Sequence, residues 1–219
     1  METFTDASPK GDRFASLLSE KACSRPIYDQ ILADLGDCVV APTLGSILPK
    51  WLLVVPKTRI INFSQWYQTE RKHPHDVLTR ALQKLQVKPE RAIWFEHGAS
   101  ENGTPVGCGV DQAHLHVIVD SPFSFSDFAS LAIDASDRGW QVAPAEKAYA
   151  TIPTGSSYLL AGSCEKAILL QDVEGLGPQF FRRIVAHLSQ RPDEWNYRQH
   201  PHLGNVKKTI QEFSQLIAN

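Results

Sequence analysis

Polar and apolar residues alternate most strictly over Gln112-Ala-His114-Leu-His116-Val-Ile-Val119. Successive side chains of a strand point to opposite faces. The run therefore predicts a strand with Gln112, His114, His116 and Ile118 on one side and Ala113, Leu115, Val117 and Val119 on the other. The second set can bury in a core. The first places two imidazoles and an amide in one row, which a reaction or a metal calls for and a core does not. Apolar runs predict further strands over 37–43, ending at Pro42, over 51–55, closed by Pro56-Lys57, and over 91–97. Helical spacing of Val77, Leu78, Ala81, Leu82 and Leu85 predicts helix over 63–72 and 75–86, broken near Pro74. A short helix over 13–23, capped by Asp12, precedes them.

Residues 98–110 (GASENGTPVGCGV) form a glycine-rich loop leading into the histidine strand, so 91–97 and 112–119 read as an antiparallel hairpin with an oversized connection. Beyond Asp120, helix is predicted over 126–138, starting at Ser126 or Asp127. The runs 158–161 and 167–170 read as a second hairpin around GSCEK. Helices over 178–189, opened by Pro178, and over 204–218 complete the chain. This order predicts an α+β fold with an antiparallel sheet of about five strands, flanking helices and a C-terminal extension of hairpin and helices. Residues 1–219 read as one domain, with a core over about 30–120 and an extension over about 121–219.

Composition narrows the picture without naming a function. The 219 residues are 42% hydrophobic and 21% charged, with a net charge of −2, so no overall electrostatic case exists for nucleic acid or a membrane surface. Cysteines at 23, 38, 108 and 164 form no CxxC pair, which fits free thiols in a reducing compartment. The polar start METFTDASPKGD has no apolar signal core, and no run approaches ~20 apolar residues. A cytoplasmic location is the expectation.

Three readings of the histidine strand compete. A neutral imidazole can attack phosphorus while its neighbour two residues on donates to a phosphate oxygen, and the glycine-rich loop turns backbone N–H groups toward the anion. Alternatively, His114 and His116 are two ligands of a zinc site with His97 as a third. In the last reading both histidines are structural.

Gln112-Ala-His-Leu-His-Val-Ile-Val resembles the histidine triad motif, His-x-His-x-His followed by apolar residues. Residues 48–60 (LPKWLLVVPKTRI) resemble the Pro-Gly-His-Leu-Leu-Val-Pro-Lys-x-His-Ile segment of the same superfamily. Phe95-Glu-His-Gly98 and the Gly107-Cys-Gly109 loop resemble a bacterial branch with Phe-Glu-His-Gly and Asp-His-Ala-His-Leu-His. The resemblance covers about residues 30–120. It implies a nucleotide hydrolase, phosphorylase or nucleotidyltransferase acting on a P–X bond of a nucleotide or dinucleoside polyphosphate through a nucleotidyl-histidine. On this chain His114 is then the nucleophile, His116 contacts the phosphate or bridging oxygen, and Gln112, replacing the first histidine, orients. Glu96, Thr43, Gly107, Cys108 and Gly109 fall at substrate-binding positions. No metal or other cofactor is implied, and a homodimer is. Lys50-Trp51 and Arg59 depart from the family's Gly-His and His. Both cations are candidates for phosphate contacts, and Trp51 reads as packing. The changes at Gln112, Thr43 and Gly109 motivate the alternative of a catalytically degenerate nucleotide-binding protein.

Overall fold

Strand-forming runs assemble into one antiparallel sheet in the computed structural model, which describes residues 13–19, 25–104, 106 and 110–217. The strands are β1 (Ala33–Asp34), β2 (Cys38–Pro42), β3 (Trp51–Pro56), β4 (Ala92–Gly98), β5 (Leu115–Val119), β6 (Gln141–Pro144), β7 (Tyr158–Gly162) and β8 (Lys166–Leu170). Their order across the sheet is β1-β2-β3-β5-β4-β7-β8-β6, and every pairing is antiparallel. The expectation of about five strands with a separate hairpin extension is therefore corrected to eight strands in one sheet among the described residues. Without β7, the β4 edge would leave a row of backbone donors and acceptors unpaired. The hairpin β7–β8 covers that edge, with Phe95 opposite Ala161 and His97 opposite Leu159. β6 then pairs with β8.

The alternation expected of β5 extends through its neighbours. Leu52, Val54, Trp94, Leu115, Val117, Val119, Leu160 and Leu169 belong to one core cluster. On that face the cluster takes in Phe63 and Trp66 of α2 (Phe63–Glu70) and Val77, Leu78, Ala81 and Leu82 of α3 (Pro74–Lys84). Trp51, Ile93, Phe95, Ile118, Leu159 and Ile168 face the other way, against Phe128 of α4 (Phe125–Ser136) and Phe180, Phe181 and Ile184 of α5 (Phe180–Leu188). A third cluster on this second side joins Leu53, Val55, Val39 and Ala41 to Phe14 and Leu17, the latter in α1 (Ala15–Leu18). Burying a large aliphatic or aromatic side chain contributes about 1.5–3 kcal/mol, so both faces of the sheet are held by tertiary packing. The two-faced strand read from the sequence, with one functional and one core face, is thus buried on both.

Local chemistry sets the helix ends. Asn62 accepts from the Gln65 N–H at the start of α2. Ser124, rather than Ser126 or Asp127, caps α4, in a capping box with Asp127. The last helix, α6 (Leu203–Ile217), is fastened to the β2–β3 connection by Asn205, which donates to the Ser46 and Ile47 carbonyls. The predicted cap Asp12 and residues 20–23 of the first helix lie outside the described residues, and α1 occupies only part of that span. Among the described residues, no helix is long and apolar enough to cross a membrane.

Candidate functional site

His116 lies within β5, two residues before Ile118, and so projects from the second face of the sheet. Its ring stacks on Phe95 of β4, with centroids 4.6 Å apart. Edge-on to it stand two more imidazoles, His114 at 5.1 Å and His97 at 6.3 Å between centroids. His114 sits just before β5, because the regular strand starts only at Leu115. All three rings line one pocket with Thr43, Leu53, Val110, Gln179, Arg182, Tyr197 and the N-terminal pair Arg13 and Phe14. The pocket encloses about 430 Å³, its open mouth included. Phe14 narrows it, packing 5.3 Å from the His114 ring. Arg13 is drawn in beside it by an ion pair of 2.7 Å to buried Asp29.

Each imidazole has a different partner, and the partners fix the tautomers. The Nδ1 of His114 lies 2.9 Å from the Gln112 carbonyl oxygen. A carbonyl only accepts, so Nδ1 carries the proton and Nε2 keeps its lone pair. The indole N–H of Trp51 donates to Nδ1 of His116 at 3.1 Å, so the neutral His116 ring carries its proton on Nε2. The backbone N–H of Phe181 donates to Nε2 of His97 at 3.1 Å, which leaves the proton on Nδ1. Burial keeps the rings neutral: it pushes His97 down to about 3, His114 down to about 4 and His116 well below the ordinary imidazole value, with the Arg182 charge acting in the same direction on each. Two adjoining rings, 5.1 Å apart between centroids, thus carry an unprotonated nitrogen on His114 and an N–H on His116, a lone pair able to attack and a hydrogen-bond donor.

The zinc reading meets these hydrogen bonds directly. The lone pairs of His116 Nδ1 and His97 Nε2 are occupied by N–H donors. Among the described residues, no group of three or more His, Cys, Asp or Glu side chains is placed to hold a metal ion.

The other expected site residues divide. Thr43 lines the pocket. Gln112 contributes its backbone carbonyl to His114, but its side-chain amide donates to the carbonyls of Pro56 (2.9 Å) and Thr58 (3.0 Å) and ties the histidine segment to the end of β3. Its expected orienting role therefore belongs to the main chain. Glu96 does not face the pocket. With Trp94 it points to the opposite side of the sheet, where its carboxyl accepts from the Phe63 N–H and from the hydroxyls of Tyr149 and Tyr158. Gly98 makes this possible, because a β-carbon there would collide with the Tyr158 ring. Burial raises the Glu96 carboxyl to about 7. Lys50 is engaged by Asp120 and Glu212, and Arg59 is exposed outside the pocket lining. Gly107, Cys108 and Gly109 lie outside the described residues.

Several residues in or behind the pocket lining were given no role in the reaction from the sequence. Trp51 reads as packing, yet its indole N–H sets the His116 tautomer. His97 entered only as a third metal ligand. The period of two that places Trp94 and Glu96 on one side places Phe95 and His97 on the other, so the signal was present in β4. Gln179, Arg182 and Tyr197 carried no motif. The chain matches no model of a known protein family and no curated protein.

Proposed function

We propose that the chain is a nucleotidyl-transferring enzyme with the chemistry of histidine triad proteins, acting on a P–X bond of a nucleotide or dinucleoside polyphosphate. The observation that carries this reading is the pair of opposed tautomers on adjoining rings, an Nε2 lone pair on His114 and an Nε2–H on His116. In the first step His114 Nε2 attacks the phosphorus, a P–N bond forms, and the P–X bond breaks with its electron pair leaving on X. The ring becomes cationic, and its Nδ1–H bond to the Gln112 carbonyl strengthens as that charge develops. His116 donates to an oxygen of the attacked group or to the bridging oxygen. Water, phosphate or another acceptor then attacks the same phosphorus, an attacking water gives its proton to the departed X group or to solvent, the P–N bond breaks, and its electron pair returns to His114. The pairing of two copies implied by the family resemblance belongs to the same proposal.

A second reading, nucleotide binding without turnover, draws on the narrowness of the pocket and on Phe14 against His114. One experiment separates the two. The protein is incubated with labelled dinucleoside polyphosphates and nucleoside phosphoramidates, and acid-labile adducts are trapped and mapped. Turnover with label on His114 is expected. His114→Asn should lower the rate on the order of 10³-fold or more while nucleotide binding persists. An adduct on another residue, or full activity in the variant, rules out the mechanism. Binding without turnover across the panel favours the second reading.

A further inference from the structure

His97 is 5% exposed, and its Nδ1 has no hydrogen-bond partner. Its Nε2 is already committed as acceptor to the Phe181 N–H, so Nδ1 can only donate. A buried donor without an acceptor costs about 1–3 kcal/mol, which a bound acceptor would recover. His97 lines the pocket, and the described residues offer that N–H no acceptor.

The residue after Phe181 supplies charge. Arg182 is 3% exposed and also lines the pocket. Its guanidinium donates to the carbonyls of Leu44, Gly45 and Trp195, and it lies over the Trp51 ring at 4.6 Å and the Tyr197 ring at 5.7 Å. These contacts hold a planar cation in a fixed pose, the form suited to phosphate oxygens. The first turn of α5 thus performs two tasks at once: the Phe181 N–H sets the His97 tautomer, and Arg182 adds a positive charge.

We infer that His97 Nδ1–H and the Arg182 guanidinium form an anion subsite for the phosphate next to the attacked one, so that the preferred substrates are oligophosphates rather than compounds with an uncharged leaving group. The inference rests on the proposed reaction for the position of the attacked phosphorus, which His114 and His116 already serve. An imidazole whose Nδ1 can only donate, beside a guanidinium, suits an anionic acceptor, and an amine leaving group offers none.

Inorganic pyrophosphate tests the subsite without turnover. Calorimetric titration of the full chain should show binding to the wild type, weakened at least tenfold in His97→Phe, which keeps the ring and loses the N–H, and in Arg182→Lys, which keeps the charge and loses the planar fork. In the ¹⁵N-histidine-labelled wild type, the His97 Nδ1–H resonance should move on adding pyrophosphate, and this readout decides the matter if either variant fails to fold. For the active enzyme, the loss of kcat/KM in His97→Phe should be at least tenfold greater for a dinucleoside polyphosphate than for a phosphoramidate. A wild type that does not bind pyrophosphate, variants that bind it as the wild type does, or a His97 signal that stays put overturns the subsite. Failure of the reaction itself is read separately, from the absence of any His114 adduct while pyrophosphate still binds.

Discussion

Which nitrogen of an imidazole carries the proton is decided by the group it meets, and in this pocket Trp51 makes that choice for His116. Trp51→Phe removes the indole N–H and frees His116 to take the other tautomer, in which Nε2 no longer donates. The lost bond is worth about 0.5–1.5 kcal/mol, so kcat should fall about two- to tenfold, with the His116 tautomer followed by ¹⁵N chemical shifts. An unchanged rate together with an unchanged tautomer would show that the indole contact does not govern His116. The alternation of residues 112–119 made His114 and His116 legible. The same kind of reasoning misdirected Gln112 there and Glu96 on β4, because a strand pattern gives the alternation of side chains and not the partner waiting for each. The Gln112 amide meets the carbonyls of Pro56 and Thr58, and Glu96 meets two tyrosine hydroxyls.

At the scale of elements, the connection between β2 and β3 brings the two halves of the chain together. Gly45 turns there with φ of +71°, and a β-carbon on it would collide with Tyr197 and with the Arg182 guanidinium. Gly45→Ala should therefore cost about 1–3 kcal/mol in denaturant unfolding. It should also weaken pyrophosphate binding by displacing Arg182, whereas a substitution at Gly36, where a β-carbon meets nothing, should leave binding unchanged. The strands from β2 to β5 and the helices α2 to α6 follow runs and periods visible in the sequence, with ends shifted by a few residues. β6 gave no such signal. Gln141-Val-Ala-Pro144 is short and mostly exposed, and it is a strand because the edge of β8 offers backbone partners.

For the whole molecule, buried titratable groups on the two faces of the sheet oppose one another. Glu96 has its folded pKa raised from 4.5 to about 7, so the folded state holds a proton that the unfolded chain releases, and stability is lost as pH rises across that interval. His97, His114 and His116 are lowered from 6.5, so the unfolded chain takes up protons that the folded state refuses, and stability is lost as pH falls below 6.5. Between pH 4.5 and 6.5 three imidazoles outweigh one carboxyl, and the protein should become less stable toward acid. Glu96→Gln isolates the carboxyl. Relative to the wild type, the variant should gain stability between pH 5 and pH 8, measured by denaturant unfolding at each. A difference that does not vary with pH would mean that Glu96 stays ionised when buried.

The sequence by itself determined what local periodicity can carry: an α+β chain, the antiparallel pairing of the histidine strand with its predecessor, the apolar faces, and two histidines on a common side. Only the tertiary structure decided the eight-stranded sheet, the side of the sheet that Glu96 serves, the closing of the pocket by Phe14, and the tautomers. The bonds that set His116 and His97 come from residues 65 and 84 positions away. A pattern of period two or 3.6 reports the face a side chain turns toward, whereas a proton's place on an imidazole depends on a donor that another segment brings within about 3 Å once the chain has folded.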